Sequence, residues 1–198
     1  MNKTVFMHHL VEKNLGYLRV TDAIAAGISR SYIMEYIAQH PFERAARGLY
    51  KMQDAWDDGM YVLQTRYKKA IFSHESALYL HNLAVREPVQ YSITLQAGSG
   101  SAALVAEGVK VYKIKKSLFL MGLLEVQTPV GHFVRAYNAE RTLCDLLRSR
   151  RSIESQDIQY AFTAYVQTNK KNIPLLMHYA KHFSVTERIR TYLEMLLP

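Results

Sequence analysis

Apolar and polar residues follow a helical spacing in two stretches near the start of the chain, with a short β-like segment between them. Residues 3–14 place apolar side chains one turn apart, which predicts a helix, and residues 17–20 favour a short strand. The segment TDAIAAG (21–27) predicts a two-turn helix, with Thr21 as its N-cap and Gly27 at its end. This part of the chain is therefore expected to hold two helices and one strand.

A further helix and a hairpin follow. Ser29 is predicted to cap a helix that runs to about Gln39, where a His-Pro pair stops it. The next segment predicts two short strands, Phe42–Arg44 and Leu49–Met52, joined by a turn that ends in glycine. Helix, short helix, glycine turn, second helix and hairpin is the order of a winged helix-turn-helix, which we expect over residues 1–56.

The polar segment QDAWDDG (53–59) is the best candidate for a domain boundary, because three aspartates and a glycine interrupt the apolar pattern. Residues 57–198 are then expected to form the second domain. Strands are predicted at residues 89–96 and 108–116, and two more at 123–137 about a Pro-Val-Gly turn. Helices are predicted at 60–70, at 73–83 and in the tail after the caps Asn138, Ser155, Asn172 and Ser184. The predicted fold class is α+β: an N-terminal winged helix-turn-helix, then a domain with a small mixed sheet and a helical bundle.

The net charge and its distribution along the chain indicate what kind of partner the protein binds. The net charge is +8, and residues 1–60 carry seven Lys and Arg against seven Asp and Glu, whereas the rest carries eighteen against ten. Such an excess favours polyanionic partners. The sequence has no run of 18 apolar residues, and its start lacks the features of a signal peptide, so we expect a cytoplasmic protein without membrane contact.

The helix that Ser29 caps has two chemically different sides. Ile33 and Ile37 are expected to face the core, whereas Arg30 and Ser31 lie on the opposite side of the first turn. In a helix-turn-helix this turn reaches the bases: arginine bonds guanine through two donors, and serine bonds bases or phosphates. Tyr32 is left undecided between groove and core. The predicted DNA contacts are Ser29, Arg30, Ser31, Tyr32, Arg44, Arg47 and Lys51.

A simpler interpretation of the same turn is a capped, solvated surface. Taken alone, a polar first turn is more often of this kind. The hairpin changes the balance, because RAARG is expected to place Arg44 and Arg47 at its tip, where loops enter the minor groove or follow phosphates.

Residue types that carry catalysis are present but do not form a recognisable set. The single cysteine, Cys144, lies in a helical segment and is expected to be a buried packing residue. His178 and His182 share a helical face but lack the glutamate of a metalloprotease helix, and GSGSA (98–102) is not followed by GK[ST]. We therefore expect no catalytic residues, no metal and no cofactor.

Three further segments resemble a known family in order and spacing. RGLYKM (47–52), SHESALYLHNL (73–83) and AERTLCDLLR (139–148) look like the AbiEi family, the antitoxins and transcriptional regulators of bacterial type IV abortive-infection systems. The resemblance covers nearly the whole chain. It implies a winged helix that binds inverted repeats in its own promoter and represses the operon. It also implies a C-terminal domain that opposes a nucleotidyltransferase-like toxin without a stable complex.

The basic residues of the second domain admit two interpretations. One is a nucleic-acid or antitoxicity surface; the other is an edge strand protected against aggregation, or a helix end that suits positive charge. The residues concerned are Lys110, Lys113, Lys115 and Lys116, with Arg148, Arg150 and Arg151.

Two other functions stay open beside the antitoxin. One is a winged-helix regulator whose second domain senses a ligand, which a pocket with convergent polar groups would favour. The other is a DNA-targeted enzyme such as a nucleic-acid hydrolase, which clustered carboxylates or a metal would favour.

Overall fold

The architecture is α+β, as predicted, with two small sheets surrounded by helices. The computed structural model describes residues 2–149 and 153–197. The chain divides into two compact units: Met1–Lys68 with Gln127–Phe133, and Lys69–Val126 with Val134–Pro198.

The first unit contains four helices and a three-stranded antiparallel sheet among its described residues. The sheet has the order β1-β3-β2. Its core is formed by apolar side chains from the first three helices and β1, including Met7, Leu18, Ala23, Ile33 and Tyr36. The elements are α1 (Lys3–Lys13), β1 (Tyr17–Arg19), α2 (Val20–Ala25), α3 (Arg30–Gln39), β2 (Phe42–Ala46), β3 (Leu49–Met52) and α4 (Gly59–Arg66).

Local rules predicted the helices and strands up to residue 52, with one error at a helix start. Thr21 is not an N-cap, because α2 already begins at Val20 and Arg19 occupies the cap position. Gly27 does end this region as expected: its φ of +86° allows the turn in which the Ile28 amide donates to the Ala23 carbonyl.

The division of the chain differs from the boundary expected after residue 56. Helix α4 belongs to the first unit, and its N-cap is Asp58, whose Oδ1 accepts from the Tyr61 amide at 3.0 Å. The Asp58 amide in turn donates to the Tyr17 hydroxyl at 2.9 Å. Tyr17 and Tyr61 pack edge to face, so α4 continues the packing of the first unit across the polar segment.

The β7–β8 loop, residues 127–133, also belongs to the first unit. The Thr128 hydroxyl donates to Asp58 Oδ2 at 2.6 Å, and His132 Nδ1 lies 2.8 Å from the same oxygen. His132 Nε2 lies 3.1 Å from the Asn14 carbonyl oxygen, and the ring stacks on Tyr61. Both ring nitrogens of His132 therefore lie against oxygen atoms of the first unit.

Burial opposes the charge of the Asp58 carboxylate, but its hydrogen bonds outweigh burial. His132 and Thr128 contribute most, and together with the Tyr61 amide they hold the pKa of Asp58 below its usual range.

The second unit is built on a mixed five-stranded sheet of order β6-β5-β4-β8-β7. Strand β4 is antiparallel to β5 and parallel to β8, and β5 is parallel to β6. The elements are β4 (Ile71–Phe72), α5 (His74–Leu80), β5 (Ser92–Gln96), α6 (Ala102–Ala106), β6 (Lys110–Ile114), α7 (Lys116–Phe119), β7 (Leu123–Gln127), β8 (Phe133–Tyr137), α8 (Ala139–Arg148), α9 (Ser155–Gln167), α10 (Ile173–Phe183) and α11 (Thr186–Leu196).

Helix α8 is the centre of the helical bundle. Its side chains are buried from Glu140 to Leu147, and it packs against α5, α9 and α10. Arg141 is fully buried: its Nε donates to Asp145 at 2.9 Å, and its Nη1 donates to the carbonyls of Leu118 and Met121. The guanidinium carbon also lies 4.1 Å from the centroid of the Tyr137 ring and 4.0 Å from that of the Phe183 ring.

Helix caps in the second unit were predicted with mixed success. Asn138 and Asn172 cap α8 and α10, each accepting from a backbone amide three residues on. Ser155 is wrong as a cap, because it is the first residue of α9 and Glu154 precedes it. Ser184 is wrong as well: it ends α10 with a left-handed φ of 56°, and Val185 takes the cap position of α11. The short helices α6 and α7 were not predicted.

Among the residues that the model describes, no helix is both long and apolar enough to cross a membrane.

Replacing Asp58 by asparagine should change the acid sensitivity of the protein. The carboxylate contributes stability at pH values above its unfolded-state pKa, and this contribution disappears as the pH falls through the lowered pKa of the folded state. At neutral pH, Asp58→Asn should cost about 3 kcal/mol, because it leaves the His132 imidazole without its charged partner.

Chemical denaturation at pH values from 7 to 3 measures this difference. We expect the wild-type and Asp58→Asn curves to converge in acid, while Asp54→Asn, at an exposed position, follows the wild type. A constant gap between wild type and Asp58→Asn at all pH values would contradict the assignment.

Arg141 provides a second test of buried charge. Arg141→Met should destabilise the protein by about 3–5 kcal/mol, because it leaves the buried Asp145 carboxylate unpaired. The double variant Arg141→Met with Asp145→Leu should recover at least half of that loss, as measured by urea denaturation. Equal losses in the single and double variants would show that the ion pair is not the source.

Candidate nucleic-acid interface

Helix α3 begins at the cap that the sequence predicted. The Ser29 hydroxyl accepts from the Tyr32 amide at 3.4 Å and lies 3.3 Å from the Ser31 hydroxyl. The two serines therefore form a small polar group at the exposed start of the helix, and the cap prediction is confirmed.

The two sides of α3 differ as expected. Ile33 and Tyr36 are buried against α1 and α2, and Ile37 packs at the margin of this core. Arg30 and Ser31 are exposed, together with Met34, Glu35 and Ala38 further along the same side. The exposed side thus begins with an arginine and a serine and continues with a small apolar and acidic stretch.

The structure assigns Tyr32 to the margin of the core. Its hydroxyl is joined by a 2.9 Å hydrogen bond to the Thr4 hydroxyl of α1, and its ring packs against the first-unit core. The Lys3 ammonium lies 5.8 Å from the ring centroid. Tyr32 therefore attaches α3 to α1, and its position brings Lys3 to the region where α3 begins.

Lys3 is a candidate contact that sequence reasoning missed. Nothing in the spacing of residues 3–14 relates it to α3, because the relation comes from the packing of two helices. The exposed cations near the start of α3 are thus Lys3 and Arg30.

The hairpin tip carries one arginine. Ala46 and Leu49 are paired, so the turn consists of Arg47 and Gly48, and Gly48 has a positive φ of +73°, which glycine adopts without strain. Arg47 is exposed at the tip, as predicted. Arg44 was expected at the tip and is not there: it lies within β2, opposite Tyr50, and is exposed on that strand.

Lys51 does not belong to the candidate interface. Its side chain is only 7% exposed, and its ammonium lies 2.6 Å from Asp57 and 3.0 Å from Glu43. Hydrogen bonds first to Asp57 and then to Glu43 raise the pKa of Lys51. Because both carboxylates neutralise it inside the first unit, we do not keep Lys51 among the candidate DNA contacts. The ion pair between Lys51 and Glu43 also offsets the negative charge that Glu43 brings to the hairpin.

The four lysines around β6 do not form one surface. Lys110 and Lys113 are three residues apart on a strand, so they point to opposite faces of the sheet. Lys110 donates to Glu75 at 2.7 Å; burial lowers its pKa, but this hydrogen bond outweighs burial and the pKa is raised. Lys113 and Lys115 are exposed.

Strand β6 is an edge of the five-stranded sheet. This position agrees with the alternative that its lysines protect an edge against pairing with another chain. Arg148 is exposed at the end of α8, whereas Arg150 and Arg151 lie outside the described residues.

Lys116, unlike the other three lysines, lines a cavity of about 540 Å³ together with Lys69 and Arg135. These cations come from separate parts of the chain: Lys69 precedes β4, Lys116 begins α7, and Arg135 belongs to β8. The fold of the second unit brings them together, and the spacing of the lysines in sequence gave no sign of it.

A second cavity, of about 400 Å³, is lined by acidic and basic side chains. Glu75, on its wall, is already bound by Lys110 and accepts from the Ser92 hydroxyl at 2.8 Å. Glu87 accepts from the Tyr91 hydroxyl. Within residues 2–149 and 153–197, no group of three or more His, Cys, Asp or Glu side chains is placed to hold a metal ion.

The other candidate reactive residues have structural surroundings. Cys144 is buried, and burial raises its thiol pKa to about 12, so the reactive thiolate is suppressed. His74 is buried against Tyr112 and lies within hydrogen-bond distance of the hydroxyls of Ser73 and Ser149. Burial lowers the pKa of His74 well below its usual value, so its ring is neutral. The rings of His178 and His182 are exposed and 4.9 Å apart.

Comparison with known proteins adds information about the fold alone. No protein-family model matches the chain, and no curated protein matches it in sequence. Among solved structures, the chain is similar to the crystal structure of the RV2827C protein from Mycobacterium tuberculosis. The two have a TM-score of 0.55 and 13% sequence identity, and the similarity covers 96% of this chain and 79% of the other. At this identity the similarity extends to the arrangement of helices and strands and not to the side chains of the candidate interface.

Proposed function

We propose that the protein is a DNA-binding autorepressor and antitoxin of the AbiEi kind, acting in the bacterial cytoplasm. In this proposal the first unit is a winged helix-turn-helix that binds inverted repeats in its own promoter. The second unit opposes a nucleotidyltransferase-like toxin without forming a stable complex with it. Neither role requires catalysis, a metal or a cofactor.

The observation that carries the DNA-binding part is the packing of α3. Ile33 and Tyr36 hold one side of the helix in the core, and the Gly27 turn joins it to α2. Arg30 and Ser31 are therefore held at the exposed start of the helix, the end that enters the major groove in a helix-turn-helix. Arginine there discriminates guanine through two hydrogen bonds.

The hairpin supplies a second contact. Its two-residue turn projects Arg47, a residue suited to a phosphate or the minor groove. Lys3, beside Tyr32, is placed near the start of α3, and we assign it to a phosphate as well. Arg44 is kept as a weaker candidate, because it is exposed on β2 away from the tip.

The antitoxin part rests on the family resemblance. Two of the three segments that carry it form α5 and α8, which pack against each other in the core of the second unit. The resemblance therefore concerns the residues that build this unit. We assign the surface that acts against the toxin to the exposed residues of this unit, and this assignment requires a direct test.

Substitutions in the first unit should separate base recognition from phosphate contact. Arg30→Ala should cost about 1–3 kcal/mol on the operator and relax the preference at particular base pairs. Ser31→Ala should relax the same preference with a smaller loss. Arg47→Ala should weaken binding to operator and unrelated DNA alike and reduce the salt slope by about 1.

Binding to the promoter of its own operon is measured by fluorescence anisotropy at several salt concentrations. Lys13→Ala, an exposed cation at the other end of α1, serves as the matched control and should behave as wild type. Lys51→Ala should affect stability rather than sequence preference. If Arg30, Ser31 and Arg47 variants all bind like the Lys13 control, the interface is misplaced.

The two proposed roles should be separable in the full chain. A variant with Arg30→Ala and Arg47→Ala, expressed from an unrelated promoter, should still rescue growth when the adjacent toxin is induced. The reason is that the proposed opposition resides in the second unit. Loss of rescue in this variant, at wild-type protein levels, would contradict the division of roles.

A further inference from the structure

The cavity beside Lys116 is distinguished from the rest of the second unit by its charge. Lys69, Lys116 and Arg135 contribute three positive charges to its wall, and none of the described residues that line it is acidic. The cavity lined by Glu75 and Lys110 differs from it, because there the lysine is paired with a carboxylate.

The sheet assembles this wall from distant parts of the chain. Ile71 of β4 is opposite Thr94 of β5, and Lys69, two residues before Ile71, lines the cavity together with Gln96. Strand β8 runs parallel to β4 on its other side and carries Arg135. Helix α7 then adds Lys116 at its first residue. Arg135 and Lys116 are thus held on a strand and a helix, which reduces the entropy lost when they bind a ligand, whereas Lys69 lies in the turn before β4.

Uncharged side chains on the cavity wall add hydrogen-bonding groups and apolar surface to the three cations. Gln96, Ser99 and Ser117 supply amide and hydroxyl groups, which donate to and accept from a sugar or a base. Phe119 and Leu120 supply apolar surface, and Leu120 is 61% exposed. The wall thus combines a cationic part, neutral hydrogen-bonding groups and an apolar part.

The size of the cavity restricts the ligand. Its volume of about 540 Å³ lies within the range of roughly 300–1,000 Å³ of small-molecule sites. A DNA duplex lies along a surface and does not enter such a concavity. A ligand with a dianionic group, a hydroxylated part and a flat apolar part matches the three kinds of wall.

We propose that this cavity binds a nucleoside phosphate. The phosphate lies between Lys69, Lys116 and Arg135, the sugar and the base edges face Gln96, Ser99 and Ser117, and the base lies over Leu120. This site is separate from the proposed DNA interface, which belongs to the first unit, and it gives the second unit a small ligand of its own.

Isothermal titration calorimetry on the full chain tests the proposal. The probes are adenosine and cytidine 5′-monophosphates and 5′-triphosphates, the two nucleosides, inorganic phosphate, and a single-stranded hexanucleotide without terminal phosphate. We expect a nucleotide to bind with one site per chain, and the nucleosides and inorganic phosphate to bind at least about tenfold more weakly, because each lacks one part of the ligand.

Variants of the two lysines locate the site. Lys69→Gln and Lys116→Gln should each weaken nucleotide binding about tenfold, in line with the loss of one charge-assisted hydrogen bond. Lys115→Gln is the matched control, because Lys115 is the exposed neighbour of Lys116 and does not line the cavity. All three positions are exposed, and thermal unfolding should confirm that the variants fold like wild type.

Several results would overturn the proposal. These are the absence of nucleotide binding at millimolar concentration, equal weakening by Lys115→Gln, and equal affinity for inorganic phosphate or for the nucleosides. Binding of the hexanucleotide at this site without binding of mononucleotides would also overturn it, in favour of a nucleic-acid surface. None of these results depends on operator binding or toxin rescue, so the inference and the proposed function fail independently.

Discussion

The Asp58 carboxylate is the interaction on which the layout of the first unit depends. Through one oxygen it caps α4, and through the other it binds Thr128 and His132, which are about seventy residues further along the chain. His132 reaches the end of α1 at the Asn14 carbonyl. A single buried acid thus satisfies a helix end and attaches the β7–β8 loop, so that the chain leaves the second unit, contributes to the first and returns. Burial of such a charge is tolerated because every partner is a hydrogen-bond donor.

The distribution of partners, rather than the net charge of +8, decides which basic residues are available for binding. Lys51, Lys110 and Arg141 each contact a carboxylate, and Arg141 is fully buried among two rings and two carbonyls. Their contribution is to the fold. Arg30 at the start of α3 and Arg47 at a tight turn are instead exposed on ordered elements, which is the condition for recognising a ligand with little loss of entropy.

Local patterns predicted the helices and strands of the first unit because its elements follow one another closely and carry clear signals, such as Ser29 before α3 and the glycine turn after α2. Cap predictions were wrong where more than one residue could occupy the cap position. Ser184, for example, ends one helix instead of beginning the next. The candidate site was predicted in part: Ser29, Arg30, Ser31 and Arg47 lie where expected, whereas Tyr32 and Lys51 depend on contacts between elements. Lys110 and Lys113 are three residues apart on a strand, so their side chains lie on opposite faces of the sheet. This separation could have been predicted from the sequence.

Most of the residues that carry the family resemblance build the core of the second unit. Two of the three segments that resemble the AbiEi family form α5 and α8, whose side chains pack together, and the third, RGLYKM, forms the hairpin turn and β3. A fold similarity at 13% identity likewise reflects how apolar surfaces are buried. Core positions are restricted by packing whatever the function, whereas exposed positions are not. Function must therefore be argued from the side chains that the core holds at the surface: the start of α3, the hairpin tip, and the cationic wall that β4, β8 and α7 assemble around one cavity.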